Sequence, residues 1–356
     1  MSLTVCFTGG GTAGHVTPNI ALIEAAEARG WQVFYVGAAD GIEARMIPPM
    51  GVTFYPVASG KLRRYFSWQN FVDPFKVVWG ICQSLRLLIR NRPDAVFSKG
   101  GFVSVPVVIA AWLLRIPVIS HESDVTPGLA NRLTYPFCRR LCVTFEETLP
   151  YLRQRFRSRT LVTGTPLRQS LVQGDADRGL AYLGFTGEKP VLLVFGGSLG
   201  AAVLNRQVRA VLNTLLDHCD VVHIAGEAGA SEALAQPGYR CLSFVGEEFG
   251  DVLAAADVVV ARAGANSLYE LLYTRKPHLL VPLSLAASRG DQIVNARVFE
   301  KRGFSRVLDE SELTDEAFVS AIRGLIADRD RIADTLSEFE ARDSLAIILE
   351  TIQSNA

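Results

Sequence analysis

A glycine run near the start of the chain is the first group of residues suited to chemistry. In the segment FTGGGTAGH, Gly9, Gly10, Gly11 and Gly14 lie between a predicted first strand and a predicted first helix. Glycine permits positive φ and close backbone approach, and a helix start presents N–H groups that suit a diphosphate. The run lacks the spacing GxGxxG, and no acidic residue ends the second strand, so a plain dinucleotide site is disfavoured. A tight turn without a ligand is the alternative.

His15 follows this glycine run directly. An imidazole there could take a proton from an acceptor hydroxyl or bind a phosphate, whereas a polar surface group or a helix cap is the alternative. Glu122 and Asp124 are the other candidates in the N-terminal motifs, but a carboxylate near its reference pKa is a weaker base than imidazole at neutral pH. We therefore predict that His15 is the catalytic residue, as a general base or as a phosphate contact.

Two further glycine turns follow predicted strands. Gly100 and Gly101 come after a strand, at the carboxyl end where open α/β sheets bind ligands. The sequence GGSLGA at 196–201 offers backbone N–H groups and the Ser198 hydroxyl to a phosphate at another helix start. We expect two such turns to face each other across a cleft between domains.

A carboxylate in the C-terminal half is placed to bind a ribose. The segment ARAGANSLYELL puts Glu270 in the early turns of a predicted helix that follows a strand. A carboxylate there can accept both ribose hydroxyls, and a partner for the helix dipole is the alternative. The later segment SRGDQIVNA supplies Asp291, Gln292 and Asn295, whose side chains suit sugar hydroxyls.

Two acidic groupings resemble metal motifs. Asp175 and Asp177 form a DxD pattern, but they lie in a glycine-rich connection, where a solvated turn is the expected structure. The run HESD at 121–124 has no second ligand cluster in the sequence. We predict neither a metal nor a nucleic-acid partner.

The elements that must position these residues form two series of alternating strands and helices. With 356 residues and 49% hydrophobic content, the chain is long enough for two packed cores. A glycine-rich stretch at 163–189 separates the two series. The pattern predicts an α/β protein with two Rossmann-like domains, at 1–163 and 164–340, and an amphipathic helix within the final segment 341–356.

Charge is distributed unequally although it sums to zero. Residues 1–163 carry 18 basic and 10 acidic side chains, whereas residues 164–356 carry 18 and 26. The first half therefore favours an anionic partner, such as a phosphorylated ligand or an anionic membrane surface, and scattered surface charge is the alternative. The segment KLRRYFSW at 61–68, followed by Phe71, Phe75 and Trp79, suits such an interface, although a helix that packs its aromatics into the core has the same spacing.

The cysteine pattern and the apolar segments bear on the compartment. The six cysteines form no CxxC pair and no disulfide framework, which favours a reducing cytosol. The first residues show no charged leader and no cleavage site, so secretion is not expected. The most apolar stretch, 103–120, is broken by Pro106, Arg115 and Pro117, so no transmembrane segment is predicted. We expect peripheral binding at the cytoplasmic face of the cell membrane.

Seven ordered motifs resemble the MurG family, the undecaprenyldiphospho-muramoylpentapeptide β-N-acetylglucosaminyltransferases, across essentially the whole chain. They read GGGTAGHVTPNIAL, SKGGFVSVP, HESDVTPGLAN, TGTPLR, FGGSLGAAVLN, RAGANSLYELL and GDQIVNA. The resemblance implies a GT-B fold, in which the parallel sheets of the two Rossmann-like domains face a central cleft and the C-terminal helix returns to the first domain. It implies inverting transfer of N-acetylglucosamine from UDP-GlcNAc to the 4-hydroxyl of a muramyl sugar on undecaprenyl diphosphate, without a cofactor. Partners in the cell-wall synthesis machinery are also implied.

The same resemblance implies roles for individual residues. Donor contacts are implied at Thr12, Ala13, Gly14, Arg168, Ser198, Val245, Ala265, Asn266, Ser267, Leu268, Tyr269, Glu270 and Gln292. His15 belongs to the acceptor side, where the further candidates are Gly100, Gly101, Glu122 and Asp124. The chain departs from the family at HESD for the commoner HEQN, at GTPLR for GNPVR, and at Asp291–Gln292 for a glutamine pair.

Three other classes of protein share some of these features. Another GT-B transferase, such as a diacylglycerol glycosyltransferase, would share the donor loops and differ in its acceptor surface. A nonhydrolysing UDP-GlcNAc 2-epimerase would share the fold and the nucleotide but not the transfer, and SKGGFVSVP beside HESD argues against it. A nicotinamide oxidoreductase is disfavoured because its glycine fingerprint is missing.

Overall fold

The chain folds into two compact units. The computed structural model describes residues 2–60, 69–197, 202–227, 229–230, 236–285 and 288–356, with the backbone alone at 69–72. Unit 1 combines Met1–Leu167 with Arg342–Ala356, and unit 2 is Arg168–Ala341. The boundaries predicted from the sequence lie at 163/164 and 340/341.

Unit 1 is built on a seven-stranded sheet in the order β3-β2-β1-β4-β5-β6-β7, and every pair in it is parallel. Its strands are β1 (Thr4–Thr8), β2 (Gln32–Gly37), β3 (Thr53–Pro56), β4 (Ala95–Ser98), β5 (Val118–Glu122), β6 (Arg140–Val143) and β7 (Thr160–Val162). The helices between them are α1 (Ala13–Ala28), α2 (Glu43–Met46), α3 (Gln69–Asn91), α4 (Ser104–Leu113), α5 (Leu129–Thr134) and α6 (Gln154–Arg157). Short 3₁₀ helices lie at Pro48–Met50, Tyr135–Phe137 and Glu146–Tyr151.

Alternate residues of the first strand of unit 1 enter different cores. Val5 and Phe7 of β1 pack in the core that contains Leu22 of α1. Cys6, between them, packs in the core that contains Val107 of α4. Strands that are covered on both faces need apolar side chains at nearly every position, and this explains the short apolar runs in the sequence.

Unit 2 repeats this architecture with a six-stranded parallel sheet in the order β10-β9-β8-β11-β12-β13. Its strands are β8 (Val191–Phe195), β9 (Asp220–Ile224), β10 (Tyr239–Leu242), β11 (Val258–Ala261), β12 (His278–Leu280) and β13 (Arg306–Val307). Its helices are α7 (Gln169–Val172), α8 (Ala176–Leu183), α9 (Ala202–Ala210), α10 (Leu212–Leu216), α11 (Phe249–Ala255), α12 (Ala265–Tyr273), α13 (Asp291–Lys301), α14 (Asp315–Ala327) and α15 (Arg329–Leu336), with a 3₁₀ helix at Glu310–Glu312.

The last helix, α16 (Ser344–Gln353), packs on unit 1. It begins at an Asp343 cap whose carboxylate accepts a hydrogen bond from the Ala346 backbone N–H at 3.0 Å. Ile348, Leu349 and Ile352 are fully buried in the same core as the α1 side chains. The apolar face of this amphipathic helix is thus covered by the first unit.

The prediction of an α/β protein with two Rossmann-like domains is confirmed. In each unit the first strand in sequence lies inside the sheet, and the strand order reverses beside it. Because the strands are parallel, all of them end at one edge of the sheet, here called the carboxyl edge. Open parallel sheets bind ligands at this edge, close to the reversal of strand order.

Candidate active site

The first glycine turn of unit 1 leads from β1 into α1. Thr12 is the cap residue of α1, with φ −145° and ψ 153°, and its side chain makes no capping hydrogen bond. The Thr12 Oγ1 atom instead lies 3.0 Å from Nδ1 of His15. Gly11, Thr12 and Gly14 are exposed and His15 is half-buried. The residues predicted around this turn therefore lie together at the carboxyl edge and are accessible.

The other histidines differ from His15 in their surroundings. Three of the chain's five histidines, His121, His223 and His278, are fully buried, with both ring nitrogens within hydrogen-bonding distance of protein groups. His218 is exposed but precedes β9, at the opposite edge of its sheet. His15 is therefore the histidine that combines access with a place at a carboxyl edge.

The second glycine turn of unit 1 lies directly against the first. The Gly10 N–H donates to the carbonyl oxygen of Gly100 at 3.3 Å. Gly100 and Gly101 have φ of +93° and +85°, which an L side chain rarely adopts. A Cβ on Gly101 would also overlap the Gly10 carbonyl oxygen. Both positions therefore require glycine so that two backbone turns can pack together.

The side chain of Glu122, an acceptor-side candidate, is hydrogen-bonded to residues that follow it in the chain. Its carboxylate accepts hydrogen bonds from the N–H groups of Asp124 (3.1 Å) and Gly128 (2.8 Å) and from Nδ2 of Asn131 (2.9 Å). Burial raises the pKa of Glu122, and these hydrogen bonds oppose the shift. Asp124 is half-buried. The geometry gives Glu122 a role in shaping the loop that carries Asp124.

Lys99 is a buried cation beside the second glycine turn, and sequence reasoning missed it. Its Nζ lies 2.7 Å from Nδ1 of His121, 2.6 Å from Oγ of Ser123 and 3.4 Å from Oγ1 of Thr165. His121 lies in β5, Ser123 follows β5 and Thr165 follows β7, so this side chain joins the loop after β4 to the loops after β5 and β7. Only its place in the motif SKGG could have drawn attention to it.

The neighbours of Lys99 determine its protonation. Nε2 of His121 lies 2.8 Å from the carbonyl oxygen of Gly164, which can only accept, so Nε2 carries the proton and Nδ1 accepts from Lys99. Burial lowers the pKa of Lys99 to about 7, and the charges of Glu122 and Asp124 oppose the shift. Burial and the charge of Lys99 hold the pKa of His121 well below its usual value.

In unit 2, two residues that are predicted to bind the sugar donor lie close enough for their charges to interact. Glu270 lies in the second turn of α12, and Arg168 precedes α7. Both are half-buried, and within the described residues no group donates a hydrogen bond to the Glu270 carboxylate. Burial raises the pKa of Glu270 to about 7, and the charge of Arg168 opposes the shift. This carboxylate is therefore available to a ligand.

The other residues of α12 that are predicted to bind the donor differ in burial. Asn266 and Ser267 are half-buried, whereas Ala265, Leu268 and Tyr269 are buried. The Tyr269 ring packs edge-on against Phe339, with centroids 5.9 Å apart. A ligand could thus meet the buried members only through their backbone.

The other predicted donor contacts have distinct surroundings. Gln292 accepts a hydrogen bond from the Leu283 N–H at 3.1 Å through its Oε1 atom. Val245 is buried, but the preceding Phe244 is 69% exposed, after the end of β10 at the same edge of the sheet. No pattern in the sequence distinguished Phe244, although an exposed aromatic ring suits stacking on a planar base. Ser198 lies outside the described residues.

Two buried polar residues support this edge of unit 2. Arg262 donates to Glu310 at 2.7 Å and to the Val281 carbonyl oxygen at 3.0 Å, so it joins the loops after β11 and β12. Asn295 donates to the carbonyl oxygen of Ala263 at 3.1 Å. Asn295, proposed for sugar hydroxyls, therefore holds the loop before α12. Asp175 of the DxD pattern caps α8 by accepting from the Arg178 N–H at 2.8 Å.

The two parallel sheets and the sites at their carboxyl edges define a GT-B glycosyltransferase fold. Solved structures agree: the chain is similar to MurG from Acinetobacter baumannii, with a TM-score of 0.77, 24% identity and 99% coverage of both chains. A Listeria monocytogenes protein named as a putative UDP-N-acetylglucosamine 2-epimerase is also similar, with a TM-score of 0.68, 12% identity, and coverage of 99% of this chain and 96% of that one. The fold alone thus includes both transferases and epimerases.

Sequence comparison separates these classes. Residues 5–143 match the glycosyltransferase family 28 N-terminal domain, and residues 191–348 match the family 28 C-terminal domain. A protein from Geobacillus kaustophilus (strain HTA426) is 48% identical over 100% of this chain and 99% of its own length. It is named UDP-N-acetylglucosamine–N-acetylmuramyl-(pentapeptide) pyrophosphoryl-undecaprenol N-acetylglucosamine transferase. The chain belongs to glycosyltransferase family 28, which confirms the resemblance found in its motifs.

Proposed function

We propose that this chain transfers N-acetylglucosamine from UDP-N-acetylglucosamine to the muramyl sugar of an undecaprenyl-diphosphate-linked muramoylpentapeptide. The observation that carries the proposal is the 48% identity, over the full length of both chains, to a relative named for that transfer. The accessible His15 and the Glu270 carboxylate, which accepts no hydrogen bond from the described residues, supply groups of the required chemistry.

The reaction is a single inverting displacement. The 4-hydroxyl oxygen of the muramyl sugar attacks the anomeric carbon of N-acetylglucosamine, and the bond from that carbon to UDP breaks. UDP leaves with the bonding electron pair, and the hydroxyl proton passes to His15. A positioned base of this kind contributes about 10²- to 10⁴-fold to the rate.

Unit 2 holds the donor. The Glu270 carboxylate accepts hydrogen bonds from the ribose hydroxyls, and Arg168, whose charge acts on Glu270, contacts the nucleotide. Asn266, Ser267 and Gln292 are polar groups at the same edge of the sheet. Unit 1 holds the acceptor near His15, with the half-buried Asp124 as its sugar contact. Thr12, Ala13 and Gly14 of its first glycine turn add contacts to the donor.

An assay of UDP release tests the function. The purified chain is incubated with UDP-GlcNAc, with and without a soluble analogue of the lipid-linked muramoylpentapeptide. We expect UDP to form only with the acceptor and in equal amount to the disaccharide product. An epimerase would instead form a UDP-linked epimer, and a diacylglycerol glycosyltransferase would require diacylglycerol; either result contradicts the proposal.

An exposed apolar surface on unit 1 supports a peripheral association with the membrane. Phe75, Val78 and Trp79 of α3 are 77%, 60% and 61% exposed, and their spacing puts them on one helix face. With these exposed fractions, the side chains of Phe75 and Trp79 do not pack into the core. No helix of the described ranges has the length and apolar character needed to cross a membrane. The basic segment at 61–68 and the Phe71 side chain lie outside the described residues.

Vesicle sedimentation tests this association. We expect wild type to bind vesicles that contain anionic phospholipid, and a Phe75→Ser/Val78→Ser/Trp79→Ser variant to bind at least about fivefold less, because burial of large apolar side chains drives interfacial binding. Tyr182→Ser, which changes an exposed aromatic residue of unit 2, is the matched control and should bind like wild type. Equal binding by all three proteins would remove the proposal.

A further inference from the structure

A buried carboxylate, Glu43, supports the first glycine turn from inside the chain. Glu43 is the first residue of α2 and is fully buried. Its Oε2 accepts a hydrogen bond from the Gly11 N–H at 3.1 Å, and its Oε1 accepts one from the Ala38 N–H at 2.9 Å. One side chain thus joins the turn after β1 to the end of β2.

Three glycines make room for this carboxylate. A Cβ on Gly10 or on Gly41 would overlap the carboxyl group of Glu43, and a Cβ on Gly37 would lie 2.6 Å from its Cγ. Gly10 belongs to the turn after β1, whereas Gly37 and Gly41 belong to the end of β2 and the loop that leads to α2. At Gly10 the three atoms nearest to an added Cβ all belong to Glu43, and the backbone there has no positive φ. Space for Glu43, rather than backbone conformation, therefore requires glycine at position 10.

The Glu43 carboxylate also accepts from a backbone N–H group that a ligand phosphate would otherwise bind. Glycine-rich turns at a first strand and helix commonly bind nucleotide phosphates through their backbone N–H groups. Here the Gly11 N–H already donates to a carboxylate of the chain itself. At this N–H group the first turn of unit 1 is thus occupied from within.

We infer that Glu43 is a positioning residue that sets the first glycine turn and keeps the Gly11 N–H from substrate phosphate. Thr12 and His15 follow Gly11 within four residues, so the direction of the α1 start depends on this hydrogen bond. A phosphate that approaches His15 must use donors beyond Gly11. Glu43 itself touches neither substrate.

Amide hydrogen exchange measures the hydrogen bond directly in the free protein. Gly11 is exposed, and among the described residues its N–H donates to Glu43 alone, so loss of this bond should leave the N–H open to exchange. We expect exchange in a peptide that covers residues 9–14 to be at least about tenfold faster in Glu43→Gln, which keeps the size but removes one acceptor. Asp40→Asn, an exposed carboxylate in the same connection, is the matched control. Equal exchange in wild type and Glu43→Gln would overturn the inference.

A double-mutant cycle tests whether Gly10 exists to accommodate Glu43. Gly10→Ala and Glu43→Ala should each lower Tm, and the double variant should melt no lower than Glu43→Ala alone, because the added methyl then fills vacated space. Additive losses would contradict the inference. If Glu43→Ala does not fold, the same cycle with Glu43→Gln applies: the amide is as large as the carboxyl, so Gly10→Ala must remain damaging there.

Kinetics separate positioning from general damage. The effect on turnover rests on the proposed transfer reaction: Glu43→Gln should lower kcat about tenfold or more, with the UDP affinity of unit 2 unchanged. Asp40→Asn should behave like wild type. Unchanged kcat in an active enzyme would refute the positioning role. If wild type transfers no sugar, the proposed function fails, while hydrogen exchange and melting still decide the inference on Glu43.

Discussion

The carboxyl edges of the two units use polar side chains in opposite ways. In unit 1 the carboxyl groups of Glu43 and Glu122 and the ammonium of Lys99 are all buried and hydrogen-bonded to loops of the same unit. In unit 2 the Glu270 carboxylate, beside Arg168, receives no hydrogen bond from the described residues and keeps partial exposure.

This difference separates residues that shape a site from residues that bind a ligand. Buried polar groups that lack partners are costly, so a fully bonded set stabilises one loop arrangement, as in unit 1. A half-buried carboxylate without a donor retains its capacity for hydrogen bonds, as Glu270 does in unit 2. The comparison therefore indicates that the buried groups of unit 1 preorganise its loops, and it makes His15 and Glu270 the two groups whose proposed roles are tested below.

The variant with the largest expected effect tests whether His15 is a reactive group or only another residue that shapes the loops of unit 1. His15→Ala should lower kcat by about 10²- to 10⁴-fold if His15 is the general base. A contact to phosphate would instead raise the acceptor KM and leave kcat nearly unchanged. His218→Ala, which removes an exposed histidine at the opposite edge of unit 2, is the control. Steady-state kinetics with a soluble acceptor decide between the roles, and normal values of both constants exclude either one.

Removal of the Glu270 carboxylate should have the next largest effect. Glu270→Ala should weaken UDP binding by about 10- to 100-fold, because a hydrogen bond to a charged group contributes about 1.5–3 kcal/mol. Calorimetry with UDP measures the affinity, and the donor KM should rise in parallel. Glu338→Ala, an exposed carboxylate of unit 2, should bind UDP normally. Unchanged UDP affinity in Glu270→Ala would show that the ribose assignment is wrong.

The same comparison explains which parts of the molecule could be predicted from sequence. The parallel sheets follow from short apolar strands and the glycine turns that end them, which are local signals. His15 and Glu270 stand out because they lie in the first two turns of helices that follow glycine-containing segments. Their positions at carboxyl edges follow from the strand–helix alternation alone.

The shaping residues of unit 1 have no comparable local signal. Glu43 bonds to Gly11 across 32 residues, and Lys99 meets His121 across 22. Their burial depends on how separate strands pair, and composition reasoning expects such charged side chains at the surface. Glu122 was predicted to face the acceptor, and its bonds to Gly128 and Asn131 become visible only in the fold.

The pH dependence of UDP binding should sharpen the assignment of Glu270. Burial raises the pKa of Glu270 to about 7, so its carboxyl is mainly protonated at pH 6 and mainly ionised at pH 8. Hydroxyl donors favour the ionised form, so UDP affinity should rise by about tenfold between these values, with proton release on binding. A terminal phosphate also titrates near pH 6. Glu270→Gln therefore supplies the baseline, and equal pH profiles for both proteins would contradict the prediction.

Lys99 offers the test with the smallest expected effect. It asks whether burial lowers the pKa of a residue that shapes the loops of unit 1. Burial lowers its pKa from 10.5 to about 7, against the charges of Glu122 and Asp124. Between pH 7 and 10.5 the unfolded chain therefore holds a proton that the folded protein has released, and stability rises with pH across this window. From pH 7 to 8 the gain is about 1 kcal/mol, or about 2–4 °C in Tm for a unit of this size.

Melting curves of Lys99→Met should lack this gain, because the methionine carries no titratable group. The other titratable groups around Nζ are His121 and Cys142, besides the two carboxylates, and all of them remain in the variant. Lys76→Met, which removes a half-exposed lysine of α3, is the control and should keep the wild-type slope. The informative quantity is the Tm of wild type minus that of Lys99→Met, which should increase from pH 7 to pH 8. A constant difference would mean that Lys99 keeps its proton throughout, and its ammonium would then be a permanent charge within the loops of unit 1.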